Sequence, residues 1–238
     1  MSGATRFPLR LASGGRYLVD ADDRPFLMQG DSAWSLFTVP TLDEVDEYLA
    51  DRASRGFNAI VADLIEALIA YDPPRNVEGE APFLVPGDFS TPNEAYFARC
   101  DRIVELSAAH GMLLLLEPCY LGYRDPQWGQ FRDRQEGWYG EVLANGVEGC
   151  RDFGRYLGAR YRDDANILWV MAGDRDPGEA RAHVDAMAEG IMAGAPDHRL
   201  FTAHVHPGHP PVEEFEGSAW LTVNATYSYE IVHRDLLD

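Results

Sequence analysis

Asn166-Ile-Leu-Trp-Val-Met-Ala-Gly-Asp-Arg-Asp-Pro177 is the stretch whose reading decides the fold. Ile167 to Ala172 is an unbroken apolar run, the composition of a parallel strand buried on both faces, and it stops abruptly at Gly173. In folds that alternate strand and helix, residues just past the carboxyl end of a strand face the ligand crevice. Asp174 is therefore the first candidate for a catalytic residue, and Arg175 beside it a candidate for binding. A plainer reading has Asp174 pairing with Arg175 or capping a helix expected over 179–193.

Working outward, the same alternation recurs. Strands are expected over 26–29, 57–62, 112–116, 200–203 and 220–225, with helices over 42–55, 90–110 and 147–161 and another beginning at about Tyr229. Thr41 and Glu44 form a capping box, and Gly56 and Gly111 stand where helices end. Ahead of these units, residues 7–24 read as a hairpin turning at Ser13-Gly14-Gly15, a lid for the bottom of the fold. The segments 64–93 and 118–146 carry no sustained period. The second holds Tyr120, Tyr123, Trp128, Trp138 and Tyr139, a composition suited to a binding wall or to a core cluster under the loop.

Polar residues gather at the expected strand ends. Gly30-Asp31 breaks the first strand as Gly173-Asp174 breaks the fourth, and Trp34 follows Asp31 closely, where a ring could stack on the apolar face of a sugar or pack at a helix entrance. Glu117 follows five apolar residues. His204 and His206 close the fifth strand, and Asn224 and Tyr227 the sixth. Asp31, Trp34, Glu117, Arg175, His204, His206, Asn224 and Tyr227 are assigned to the pocket wall. A His-x-His pair also suggests a metal-dependent barrel hydrolase, but in such barrels it ends the first strand. The expectation is no metal and no cofactor, the imidazoles bonding a substrate hydroxyl or a carboxylate.

The 238 residues suit one domain. With 20 Lys plus Arg against 39 Asp plus Glu, the net charge of −19 argues against nucleic-acid and membrane partners and suits a neutral polyhydroxylated substrate. Three cysteines without Cys-x-x-Cys spacing indicate reduced thiols. Without an apolar signal core or a stretch of about 18 apolar residues, a soluble, cytoplasmic protein is expected.

The units amount to a TIM-type (β/α)8 barrel, incomplete, with about six βα units and strands seven and eight absent. Arg16-Tyr-Leu-Val-Asp20, Pro25-Phe26, Gly30-Asp31-Ser32-Ala33-Trp34, Asp51-Arg-Ala-Ser-Arg-Gly-Phe-Asn58 and Asn166 to Arg175 together resemble the apiosidase-like glycoside hydrolases, a barrel family first catalogued as a domain of unknown function and often followed by a small C-terminal β domain. The resemblance covers most of residues 15–230. It implies a retaining glycosidase with a carbohydrate substrate, in which the Asp after the fourth strand, here Asp174, is the acid/base and a Glu after the seventh strand is the nucleophile. No residue here fits the second role, which suggests a truncated product. Glu117 is given a substrate-binding role at most, and its charge is expected to raise the pKa of Asp174. The alternative is a carbohydrate-binding barrel that has lost turnover.

Overall fold

The computed structural model describes residues 5–123 and 137–228. Strands β1 (Arg10–Leu11) and β2 (Leu18–Val19) form the expected hairpin, and β3 (Pro25–Phe26) joins it, with Phe26 opposite Leu18. The segment expected as the first buried strand, 26–29, is thus divided. Phe26 belongs to this antiparallel sheet, Leu27 is 87% exposed, and the side chain of Asn58 rather than a neighbouring backbone pairs with the Leu27 carbonyl and the Gln29 N–H.

The second sheet starts at β4 (Gly30–Ser32) and continues through α1 (Leu42–Ser54), β5 (Ala59–Asp63), α2 (Glu94–Ala109), β6 (Leu113–Glu117), α3 (Tyr139–Arg160), β7 (Ile167–Ala172), α4 (Arg181–Gly194), β8 (Phe201–His204) and the short α5 (Pro211–Glu214). Its five strands are all parallel and lie in chain order. Strand β7 has the limits expected for the apolar run, and every residue in it is buried. At α1 the expected box is present in both directions, Thr41 accepting from the Glu44 N–H and Glu44 from the Thr41 N–H.

The two-residue pleat divides the sheet into two apolar faces. Ile60, Leu114, Leu116, Trp169 and Phe201 pack under the helices, whereas Ala59, Leu113, Leu168, Val170 and Leu200 form a second cluster with Leu9 and Leu18 of the hairpin. The hairpin therefore closes the amino ends of the strands, as a lid should. At the other end the register sets Asp63 opposite Glu117 and Ala172 opposite His204.

Two further expectations change. Helix α3 begins at Tyr139, eight residues before the expected start, and is broken at Gly146 (φ 69°), so the sequence period is legible only beyond the break. Residues 220–225 form no strand. Thr222 replaces a backbone ladder instead, its hydroxyl accepting from the Phe201 N–H at 3.0 Å while the N–H groups of Thr222 and Val223 both donate to the Phe201 carbonyl. The helix expected from Tyr229 and the aromatic Trp128 lie outside the described residues.

Helices α3 and α4 cross on glycine. A Cβ on Gly154 or Gly158 would run into the carbonyls of Met187 or Ile191, and one on Gly190 or Gly194 into the backbone of Arg151, Arg155 or Ala159. The four residues, one turn apart on each helix, let the two backbones touch.

Candidate active site

The strand ends face a cavity of about 550 Å³, walled by Ser32, Val61, Leu115, Val170, Thr202 and His204 from the strands and by Trp34, Tyr120, Tyr123, Asp174 and Tyr227 from the segments that follow them. Asp174 is the polar centre. Its carboxylate accepts from the Tyr120 hydroxyl at 2.9 Å and from the Tyr227 hydroxyl, and lies 2.9 Å from His204 Nε2. The other imidazole nitrogen, Nδ1, is 3.6 Å from a Glu117 oxygen. One imidazole thus spans two carboxylates. Trp34 stacks on its face, nearly parallel at 6° and 5.5 Å between centroids.

Local backbone explains the arrangement. Ala172 has φ 75°, an uncommon value outside glycine, and this ends the pleat of β7. Gly173 follows because the backbone of Leu121 and Gly122 lies against it, where a Cβ would clash. The Leu121 N–H donates to the Ala172 carbonyl at 2.9 Å, and that contact delivers Tyr120 to Asp174. Nearby, Glu66 is fully buried and accepts the N–H groups of Leu68, Ile69 and Ala70, fixing the turn that sets Leu68 and Ile69 in the cavity wall.

Electrostatics contradict one expectation. Burial pushes the Asp174 pKa up, but hydrogen bonds from His204, Tyr227 and Tyr120 and the imidazolium charge outweigh it, so the carboxyl is held below its usual range, not raised by Glu117. His204 shows the converse: burial pulls it down, yet Asp174 and Glu117 push it up to about 10. Glu117 is 0% exposed, and neither of its oxygens has a hydrogen-bond partner among the described residues. Burial moves its pKa upward against the attraction of His204. Asp63, beside it in register, is raised by burial and then by the charges of Glu117 and Glu66.

A pH dependence follows. A His whose folded pKa exceeds its unfolded value contributes stability that is complete below about 6.5 and is lost as pH rises through about 10. Unfolding free energy measured by denaturant between these limits is expected to fall, at a slope approaching about 1.4 kcal/mol per pH unit. His204→Gln is expected to flatten that slope. An equally steep fall in the variant would assign the titration elsewhere.

Of the nine residues singled out in the sequence, Asp174, Trp34, His204 and Tyr227 line the cavity, and Glu117 lies behind His204. The other four do not meet there. Asp31 is the middle residue of β4 and points to the helix side, where Tyr48 and Arg52 donate to it, while its neighbour Ser32 takes the cavity position. Arg175 is buried with its guanidinium 3.5 Å over the Tyr139 ring. Asn224 accepts from the Val212 N–H, and His206 sits with His209 and Glu214. Tyr120 and Tyr123, from the aromatic segment read as a binding wall or core cluster, line the cavity, but the bond of Tyr120 to Asp174 and the roles of Asp63 and Glu66 are not legible in the sequence. Asp63 was open to the same strand-end rule that found Glu117.

Residues 12–235 match the family described as the apiosidase-like catalytic domain. The chain belongs to this family. Among solved structures, this apiosidase-like domain is similar to a glycoside hydrolase family 5 protein from Bacteroides vulgatus (22% identity, TM-score 0.75, covering 93% of this chain and 46% of that one). A protein described as a glycoside hydrolase gives 25% identity and TM-score 0.74 over 92% of this chain and 47% of that one. A family 5 mannosidase from Rhizomucor miehei, solved with mannosyl-fructose, gives 15% and 0.61 over 95% and 62%. The chain thus spans about half the length of the first two. No curated protein matches it. The fold is α/β with a parallel sheet, and no helix among the described residues is long and apolar enough to cross a membrane.

Proposed function

We propose that this apiosidase-like domain supplies the acid/base end of a glycoside hydrolase active site, on a fold that is part of a (β/α)8 barrel. The observation that carries the reading is Asp174, held at a strand end by Tyr120, Tyr227 and His204 and open to a cavity walled by Trp34. A bound sugar hydroxyl or glycosidic oxygen can take the place of either tyrosine on the carboxylate.

Asp174 rests ionised, so its proton has to be supplied. The nearest source is His204 Nε2, 2.9 Å away. When a sugar excludes water, a neutral pair gains on a charged one. The proton then passes from Nε2 to Asp174, and from there to the leaving oxygen as the glycosidic bond breaks. In the second step the Asp174 carboxylate accepts a proton from the attacking water, and the pair is restored. The resemblance implies a retaining course with a nucleophilic Glu after the seventh strand, about 5 to 5.5 Å from the acid/base; no described residue holds that place. Glu117 is a positioning residue, since a carboxylate sealed behind an imidazole cannot reach an anomeric carbon.

Two other readings divide on geometry. Metal-dependent hydrolysis through His204 and His206 is disfavoured, because His204 turns to Asp174 and Glu117 while His206 turns to Glu214. Carbohydrate binding without turnover shares the same cavity. Aryl glycosides, mannosides and apiosides included, separate the cases. Release of the aryl alcohol supports the hydrolase; saturable calorimetric binding without release supports the binding protein; neither response contradicts both.

A further inference from the structure

The chain leaving β8 reads His204-Val-His-Pro-Gly-His-Pro-Pro-Val-Glu-Glu214. Its first two imidazoles part company. Beyond His204 the chain turns, and His206 regroups with His209 and Glu214, each offering one donor atom, all within 4.8 Å of one another. None of the three lines the active-site cavity. We propose that His206, His209 and Glu214 bind a divalent first-row transition ion of the zinc type.

Donor chemistry and spacing support this site. Two imidazoles and one carboxylate are a common zinc donor set, and three protein ligands leave a position for water. Glu214 Oε1 is 3.6 Å from His206 Nε2 and 3.9 Å from His209 Nδ1. Those separations are too long for hydrogen bonds. They exceed by about 0.3 and 0.6 Å the roughly 3.3 Å between donors around a tetrahedral ion with bonds of about 2.0–2.2 Å, a gap that side-chain rotation can close. The two imidazole rings lie against each other, 3.8 Å between centroids, and a small rotation of one ring sets both nitrogens on the same side of the loop as Glu214.

The frame is stiff and the surroundings suit a cation. Pro207, Pro210 and Pro211 restrict the loop, and Gly208 turns it at φ 82°. Val212 N–H is held by Asn224, so this sequence-selected residue braces the ligands. Glu213 places a second carboxylate 3.7 Å from His209. The His206 and His209 side chains are 33% and 45% exposed, open to an ion from solvent.

The site also reaches the cavity indirectly. Gly208 N–H donates to the Tyr227 carbonyl at 3.0 Å, and the Tyr227 hydroxyl lies on Asp174. An ion gathering 206–214 would brace the segment that presents Tyr227. Its role is positioning, and no step of hydrolysis passes through it.

Metal binding is testable without turnover. Chelator-stripped protein titrated with zinc chloride in a calorimeter is expected to bind one equivalent, and Co²⁺ to give the visible bands of a low-coordinate ion. His209→Ala and the near-isosteric Glu214→Gln should each weaken binding by about 100-fold or more, exceeding the 10–100-fold typical of outer-shell partners. His110→Ala, at the far end of α2, should bind as the parent does. Zinc should raise the thermal midpoint of the parent and not of the two ligand variants. No saturable binding, or equal affinity in His209→Ala and Glu214→Gln, would overturn the site.

Discussion

Gly190→Ala is expected to destabilise the domain, although helix propensity alone predicts the opposite. In an open helix, replacing glycine with alanine gains about 0.5–1 kcal/mol. Here the added carbon would meet the Arg151 carbonyl and the Arg155 N–H across the interface, and neither is the free end of a side chain. Helices α3 and α4 must then separate. Gly154 and Gly158, whose own contacts depend on the same approach, would lose packing with them. Overpacking of this kind costs about 1–3 kcal/mol, and the backbone contact puts this position at the upper end. For a domain of this size that lowers the thermal midpoint by about 6–12 °C. Gly190→Val should lower it further. A midpoint raised by Gly190→Ala would mean that the helices do not meet backbone to backbone.

Asp174→Asn is expected to have the largest effect on chemistry. The amide keeps the shape of the carboxyl and can still accept from Tyr120, but it can neither carry the proton to the leaving oxygen nor take one from water. Positioned acid–base catalysis is worth about 10²- to 10⁴-fold, and turnover of a natural glycoside should fall by that amount. Sugar binding should change far less, because Trp34 and the rest of the wall remain. Loss of binding equal to the loss of turnover would make Asp174 a substrate anchor. The variant also removes one of the two charges that hold His204 protonated, so the imidazole should titrate at lower pH than in the parent.

How much of this could be read from the chain is best judged at the two Gly-Asp breaks. They look alike in sequence and differ in space. In β4 the strand runs on through Asp31 to Ser32, so the pleat sends Asp31 to the helix side. In β7 the strand stops at Ala172, the positive φ there ends the alternation, and Asp174 turns into the cavity. Apolar patterning found the strand and where it ends. The phase of the pleat at the break was hidden, because it depends on backbone angles set by Leu121 and Gly122 packing on Gly173. Tyr120 was hidden for the same reason, since 54 residues separate it from Asp174. The regrouping of His206 with His209 needed a turn that the His-x-His pattern does not announce.

The central claim, that Asp174 delivers the proton to the leaving group, is tested most directly by leaving-group dependence. Values of kcat/KM, which report the leaving-group step alone, would be compared for the parent and Asp174→Asn on glycosides of one sugar, from a nitrophenyl leaving group that needs no proton to an alkyl one that does. The account predicts a loss that grows steadily as the leaving group becomes more basic, smallest for nitrophenyl and reaching about 10²- to 10⁴-fold for alkyl. A loss of the same size for every leaving group, or none for any of them, would contradict it.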